Sequence, residues 1–183
     1  MRSDAQIAHA RIIKVATQCF GNEGTEASLN KIAKLASVGP GTLYRHFPTR
    51  EHLIDACMEN WEAELQRAAD RAVRTHDDPE ALLPAWFDDL VAHISVYAGG
   101  PARLLRALRS RDALWARRWK ILDAANSTVF ERLRDQEALR DDADPRLVCV
   151  LVCGVATAVE EGELDAGQCK GLLRIVAAGT LKR

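Results

Sequence analysis

The sequence predicts an all-α fold of about nine helices, and three observations carry that prediction. Alanine (29) and leucine (21) supply 50 of the 183 residues, against 11 glycines and six prolines, a bias toward side chains that lose little freedom in a helix. Apolar residues recur at spacings of three and four along most of the chain, the period of a helix with one buried face. No stretch alternates apolar and polar residues convincingly enough to read as a strand. With 48% hydrophobic and 28% charged residues and a net charge of −1, the composition is that of a globular chain and excludes disorder.

Taken in order, Ile12, Val15, Ala16, Cys19 and Phe20 mark a first helix that Gly24 stops. Ser28 is placed to cap a short second helix from Leu29 to about Ala36, with Ile32, Leu35 and Ala36 facing inward. The turn Ser37-Val38-Gly39 leads to Pro40, which suits the first position of a third helix because its missing N–H costs nothing there. This third helix ends near Phe47-Pro48, and Thr49 caps a fourth that runs through Leu53, Cys57 and Trp61 to about Arg74. Asp78 opens a helix from Pro79 to about Tyr97, which Gly99-Gly100-Pro101 breaks. A short helix follows around Leu104, Leu105 and Leu108. A long one from Asp112 to about Gln136 carries the stripe Trp115, Trp119, Leu122, Asn126, Val129 and Leu133. The acidic loop Asp141–Pro145 precedes two final helices, about 145–161 and 165–180.

The near-zero net charge hides an asymmetry: residues 1–50 hold seven Lys/Arg against three Asp/Glu, and residues 51–183 hold 18 against 23. A basic front end joined to an acidic remainder fits contact with a polyanion at the front only, and a randomly uneven surface fits equally well. The N-terminus lacks the apolar core of a signal peptide. The most apolar run, Leu147 to Val159, has 13 residues, short of the ~20 that cross a bilayer. Five cysteines, odd in number and set within helical patterns, read as reduced thiols in a cytoplasmic protein. The sequence has no phosphate-cradling glycine-rich loop, no HExxH and no Gly-x-Ser-x-Gly, so no enzyme, catalytic residue, cofactor or metal is expected.

Helices two and three have the dimensions of a helix-turn-helix. Leu43 and Phe47, four apart, form the inward face of the third helix, which leaves Thr42, Tyr44, Arg45 and His46 outward. Four hydrogen-bond donors in five residues suit contacts to phosphates and base edges.

The stretch RIIKVATQCFGNEGTEASLNKIAKLASVGPGTLYRHFPTREHL, above all Gly41 to Phe47, resembles the DNA-binding domain of the tetracycline-repressor-like (TetR) family over about residues 9–60. The resemblance implies a transcription regulator, a repressor released from a palindromic double-stranded DNA operator by a small-molecule inducer. It implies a helix-turn-helix domain in residues 1–50 and a ligand-binding and dimerisation domain in residues 51–183, with helix four, about 50–74, connecting them. Tyr44 and His46 match positions that bind phosphates, Thr42 and Arg45 match positions that reach base edges, and Ser28 and Arg50 match clamps on the DNA backbone. Lys31 faces the same side as Ser28 and joins them. Two residues depart from the pattern, Ser37 where glycine is common and Gly39 where serine is common. If the turn needs a left-handed residue at 37, serine adds strain of about 1 kcal/mol.

In the C-terminal part, the nearly all-round apolar helix from Leu147 and the final helix call for burial on more than one side. A two-fold interface of two helices per subunit (about 145–161 and 165–180) covers them. Trp86, Leu90 and His93 on one helix and Trp115, Trp119 and Asn126 on the next form apolar stripes with a few polar groups. Such stripes fit either a small-molecule pocket or plain core. His93 and Asn126 are the sharper pocket candidates, because each sets a hydrogen-bonding group on an apolar stripe. Cys149 and Cys153, four apart, offer an alternative in which the regulator responds to thiol chemistry or a metal, although buried apolar side chains explain them as well.

Overall fold

A computed structural model of the chain describes residues 4–96, 99–107, 113–162 and 164–182. Tyr97, Leu108 and Asp112, assigned to helices above, lie outside them. Among the described residues the fold is all-helical. The helices are α1 (Asp4–Glu23), α2 (Leu29–Leu35), α3 (Pro40–His46), α4 (Arg50–Thr75), α5 (Pro79–Ile94), α6 (Gly100–Ala107), α7 (Ala113–Asp135), α8 (Pro145–Glu160) and α9 (Ala166–Thr180). None of them is long and apolar enough to cross a membrane.

The chain forms two compact units, Met1–Trp61 and Glu62–Arg183. The division falls inside α4, the helix expected to connect a domain of residues 1–50 to one of residues 51–183. The reason is burial: Leu53 and Cys57 on the first turns of α4 belong to the N-terminal core with Ile12, Ala16, Phe20, Ile32, Ala33, Leu43 and Phe47.

Local chemistry sets the helix ends of this unit. Gly24 takes φ +85°, a left-handed conformation in which its N–H closes onto the Phe20 carbonyl at 3.0 Å. Ser28 caps α2 through its hydroxyl, which accepts from the Lys31 N–H at 3.4 Å. Thr49 does the same for α4, accepting from the His52 N–H at 3.3 Å. Leu35 departs from expectation: it is 56% exposed, and the inward face of α2 is Ile32, Ala33 and Ala36.

In the second unit α8 packs against α6 and α9, and α5 lies against α9. Its core holds Leu83, Trp86, Phe87, Leu90, Leu122, Val129, Phe130, Leu133, Val152 and Cys153. Asp144 caps α8 by accepting from the Arg146 and Leu147 N–H groups, and Asp165 with Gln168 forms a reciprocal capping box on α9. Asp78 stands at the cap position of α5 without a side-chain capping bond. The C-terminus is tied down by two backbone bonds, Lys182 N–H to Ala138 O at 2.8 Å and Arg140 N–H to Thr180 O at 3.1 Å.

Candidate nucleic-acid interface

The turn between α2 and α3 is built on one strained residue. Ser37 takes φ +54°, the left-handed region that a side chain disfavours. Its N–H reaches the Lys34 carbonyl at 3.1 Å, and the Val38 N–H reaches Ala33 at 3.0 Å. The condition for strain at this position is therefore met. Ser37→Gly is expected to raise stability by about 1 kcal/mol, read as a higher urea midpoint with an unchanged slope.

The turn delivers α3 with Pro40 at its start and Gly39 as an N-cap that offers no side-chain bond. Leu43 (1% exposed) and Phe47 (3%) anchor the helix in the core. That fixes its rotation: Tyr44 and Arg45 are exposed, and Thr42 and His46 are half-buried at the edge. The four donors expected on one face are thus brought together on a short helix whose register two buried side chains hold.

The three remaining DNA-facing candidates have partners within the chain. The Lys31 ammonium lies 2.7 Å from Glu23 Oε1, an exposed ion pair; its hydrogen bond to Glu23 shifts the Lys31 pKa upward. Arg50 uses Nη1 to donate to the carbonyls of Thr25 (2.5 Å) and Ala27 (2.6 Å). It therefore closes the α1–α2 connection in which Ser28 sits. Ser28 is exposed, with its hydroxyl directed to the cap. The sequence alone does not single out His9, whose ring on α1 meets His46 and Phe47. Its only sequence signal is its place seven residues before Ala16 on the buried stripe of α1.

The pocket candidates of the second unit fare differently from one another. The Trp86 indole N–H donates to Asn126 Oδ1 at 2.9 Å, and Asn126 Nδ2 donates to the Pro145 carbonyl at 3.0 Å. Trp86 and Leu90 are 0% exposed and Asn126 is 1% exposed, so these three pack as core and the polar group of Asn126 is already satisfied. Of the two readings the stripes allow, core packing describes these three positions: a closed hydrogen bond inside a core gives the same sequence pattern as a polar contact in a cavity. His93 Nδ1 lies 2.7 Å from the Asp89 carbonyl one turn earlier. Trp115 is flanked by the guanidinium groups of Arg118 at 4.9 Å and Arg103 at 5.8 Å. Trp119 is buried, and its indole nitrogen has no hydrogen-bond partner among the described residues.

Cys149 and Cys153 are both buried. A hydrogen bond with Cys153, together with burial, pushes the Cys149 thiol well above its ordinary value. That keeps the proton on and disfavours the thiolate that redox or metal chemistry requires. Among the described residues no group of three or more His, Cys, Asp or Glu side chains is arranged to hold a metal.

On the outer side of α8 and α9, Leu147 (63% exposed), Leu151 (56%), Leu172 (36%) and Ile175 (68%) form an apolar strip on the single chain. A groove of about 390 Å³ lies against it, bordered by Leu147, Leu151, Ile175 and Gly179.

Comparison with known proteins agrees with this layout. The family of bacterial regulatory proteins, tetR family, matches residues 12–57. The HTH-type transcriptional regulatory protein RaaS of Mycobacterium tuberculosis is 33% identical over 147 residues, a match covering 80% of this chain and 66% of that protein. An HTH-type transcriptional regulator of Staphylococcus aureus is 46% identical over 54 residues, 29% of either chain. Among solved structures, a TetR transcriptional regulator from Streptomyces coelicolor superposes with TM-score 0.68 at 28% identity, covering 94% of this chain and 98% of that one. A second regulator from the same organism reaches TM-score 0.73 at 20% identity, covering 95% and 94%. All four carry names of transcription regulators rather than enzymes.

Proposed function

The chain belongs to the tetR family of bacterial regulatory proteins, and from that premise we propose that it is a cytoplasmic, homodimeric repressor that leaves a palindromic operator when a small molecule binds. The observation that carries the DNA-binding part is the fixed rotation of α3. Burial of Leu43 and Phe47 turns Tyr44 and Arg45 outward and leaves Thr42 and His46 at the edge beside them. Tyr44 and His46 hold phosphates, and Thr42 and Arg45 reach base edges. A Cβ at Gly39 or Gly41 would meet nothing within 4 Å in the chain. Packing does not demand glycine at either position, and the bare start of α3 leaves room for close approach of a duplex.

Arg50 serves this interface indirectly, by holding the loop that presents Ser28. Lys31 exchanges Glu23 for a phosphate when DNA arrives.

The inducer acts from the second unit. α4 runs through the division between the units as one helix, and a ligand that favours one arrangement of α4 changes the separation of the two α3 helices in a dimer. Binding to successive major-groove faces requires that separation to match one turn of DNA, about 34 Å. The ligand shifts the equilibrium only by its difference in affinity for the two states. With Trp86, Leu90 and Asn126 packed in the core, Trp119 is the side chain best suited to contact it, because its buried N–H has no acceptor among the described residues.

The test is selection of duplexes from a random pool by the purified protein at moderate salt. Enrichment of a palindrome is expected; a pool that stays random overturns the proposal. On an enriched duplex, Arg45→Ala is expected to relax preference at particular base pairs by about 1–3 kcal/mol. His46→Ala is expected to weaken all sequences alike and flatten the salt dependence. A uniform loss with Arg45→Ala removes base readout from that residue.

A further inference from the structure

His9 of α1 and His46 of α3 meet edge-on, ring centroids 5.7 Å apart and planes at 66°, and His9 also lies 4.9 Å from the ring of Phe47. Both histidines are half-buried at the rim of the surface that carries Tyr44 and Arg45. Burial, and then the charge of His46, hold the His9 pKa below the ordinary histidine value.

The elements meeting around this corner carry other charged or titratable groups: Asp4 and Arg11 on α1, Lys31 and Lys34 on α2, Arg45 on α3, and Arg50, Glu51 and His52 at the start of α4. Among the described residues, His46 is the charged group that bears on His9. Lys31 is engaged by Glu23, Arg50 by two carbonyls, and the His52 ring by the Thr49 hydroxyl at 3.0 Å. Among the described residues no carboxylate bears on His9, and a phosphate would supply a counter-charge at this corner.

We propose that His9 is a further positioning residue of the DNA interface and that it forms with His46 a proton-linked pair. An approaching phosphate draws a proton onto His46, while His9 stays neutral and holds the edge of the neighbouring ring. The sign follows from linkage: the DNA-bound state favours the His46 cation, so binding takes up protons. Affinity therefore rises as pH falls from 8 to 6. Two adjacent imidazoles repel when both are charged, so a proton on His46 disfavours one on His9. This inference rests on the DNA-binding reading above.

The experiment measures Kd by fluorescence anisotropy between pH 5.5 and 8.0 at fixed ionic strength, using a labelled duplex enriched from the random pool. Wild-type protein is expected to bind about tenfold more tightly at pH 6 than at pH 8, and His46→Gln to lose most of that dependence. His9→Ala is expected to weaken binding about fivefold at pH 6, and His9→Phe, which keeps a ring but no charge, to restore both affinity and pH profile. NMR of labelled histidines gives a readout independent of DNA: in His46→Gln the His9 midpoint is expected to move up. Wild-type binding at pH 8 that does not tighten at pH 6 overturns the proton link while the DNA-binding reading stands. Unchanged affinity in His9→Ala removes its positioning role, and absence of binding at every pH overturns both.

Discussion

Asn126→Leu is expected to destabilise the protein by about 2–3 kcal/mol, read as a lower urea midpoint. Leucine keeps the branching of asparagine and sits well in an α-helix, so propensity does not account for the loss, and its greater bulk is a volume change that the cycle below separates from it. What it removes is the acceptor for the Trp86 indole N–H at 2.9 Å and the donor to the Pro145 carbonyl at 3.0 Å. Trp86 is 0% exposed, so no water reaches the orphaned N–H, and the cost is that of an unsatisfied buried donor. The Pro145 carbonyl loses less, because it opens α8 and keeps the helix as a partner. A double-mutant cycle separates the hydrogen bond from the volume change. Trp86→Phe removes the donor, and combining it with Asn126→Leu is expected to recover about 1 kcal/mol or more relative to the sum of the single changes. A stable Asn126→Leu protein that no longer responds to its inducer gives the opposite result and returns Asn126 to the pocket.

The same residue shows where sequence reasoning stops. Periodicity told which way the side chains of α7 face, and Trp119, Leu122, Asn126, Val129 and Leu133 are all buried there. It could not tell what meets Asn126, since Trp86 is 40 residues away. Arg50 repeats the point. Its place after the helix-turn-helix suggested a phosphate clamp, yet its Nη1 is held by carbonyls 25 and 23 residues earlier. Lys31 likewise faces the expected side, with Glu23 waiting there eight residues upstream. Rotation and capping are local properties: Ser28, Thr49, Pro40 and the inward Leu43 and Phe47 were legible because the residues that decide them lie within one or two turns. Long-range partners belong to the packing of one element on another, which spacing within an element does not encode. Leu35 is a local failure of another kind: α2 is only seven residues long, and its last turn leaves the apolar stripe before the pattern can repeat.

Ile175→Glu is expected to split the dimer and, through it, to abolish tight operator binding. Ile175 is 68% exposed on the single chain, beside Leu147, Leu151 and Leu172. Gly154 on α8 and Ala178 and Gly179 on α9 are small and exposed, so two helix pairs can approach closely. An exposed apolar strip of this kind marks a surface suited to being covered by a partner. In a two-fold interface the patch meets itself, so one substitution places two carboxylates in the same apolar contact. Each then loses solvation without gaining a partner. Dimerisation is expected to weaken at least 100-fold, about 2.7 kcal/mol, and sedimentation should shift from two chains of 20.2 kDa to one. The fold of each chain should survive, because Ile175 contributes little to its own core. DNA affinity follows from the geometry: a single α3 reads one half-site, and a palindrome offers the monomer no second contact. Leu151→Arg on α8 should reproduce the effect from the other helix. An Ile175→Glu protein that remains dimeric assigns the subunit contact to another surface, and a wild-type protein that sediments as a monomer overturns the dimer itself.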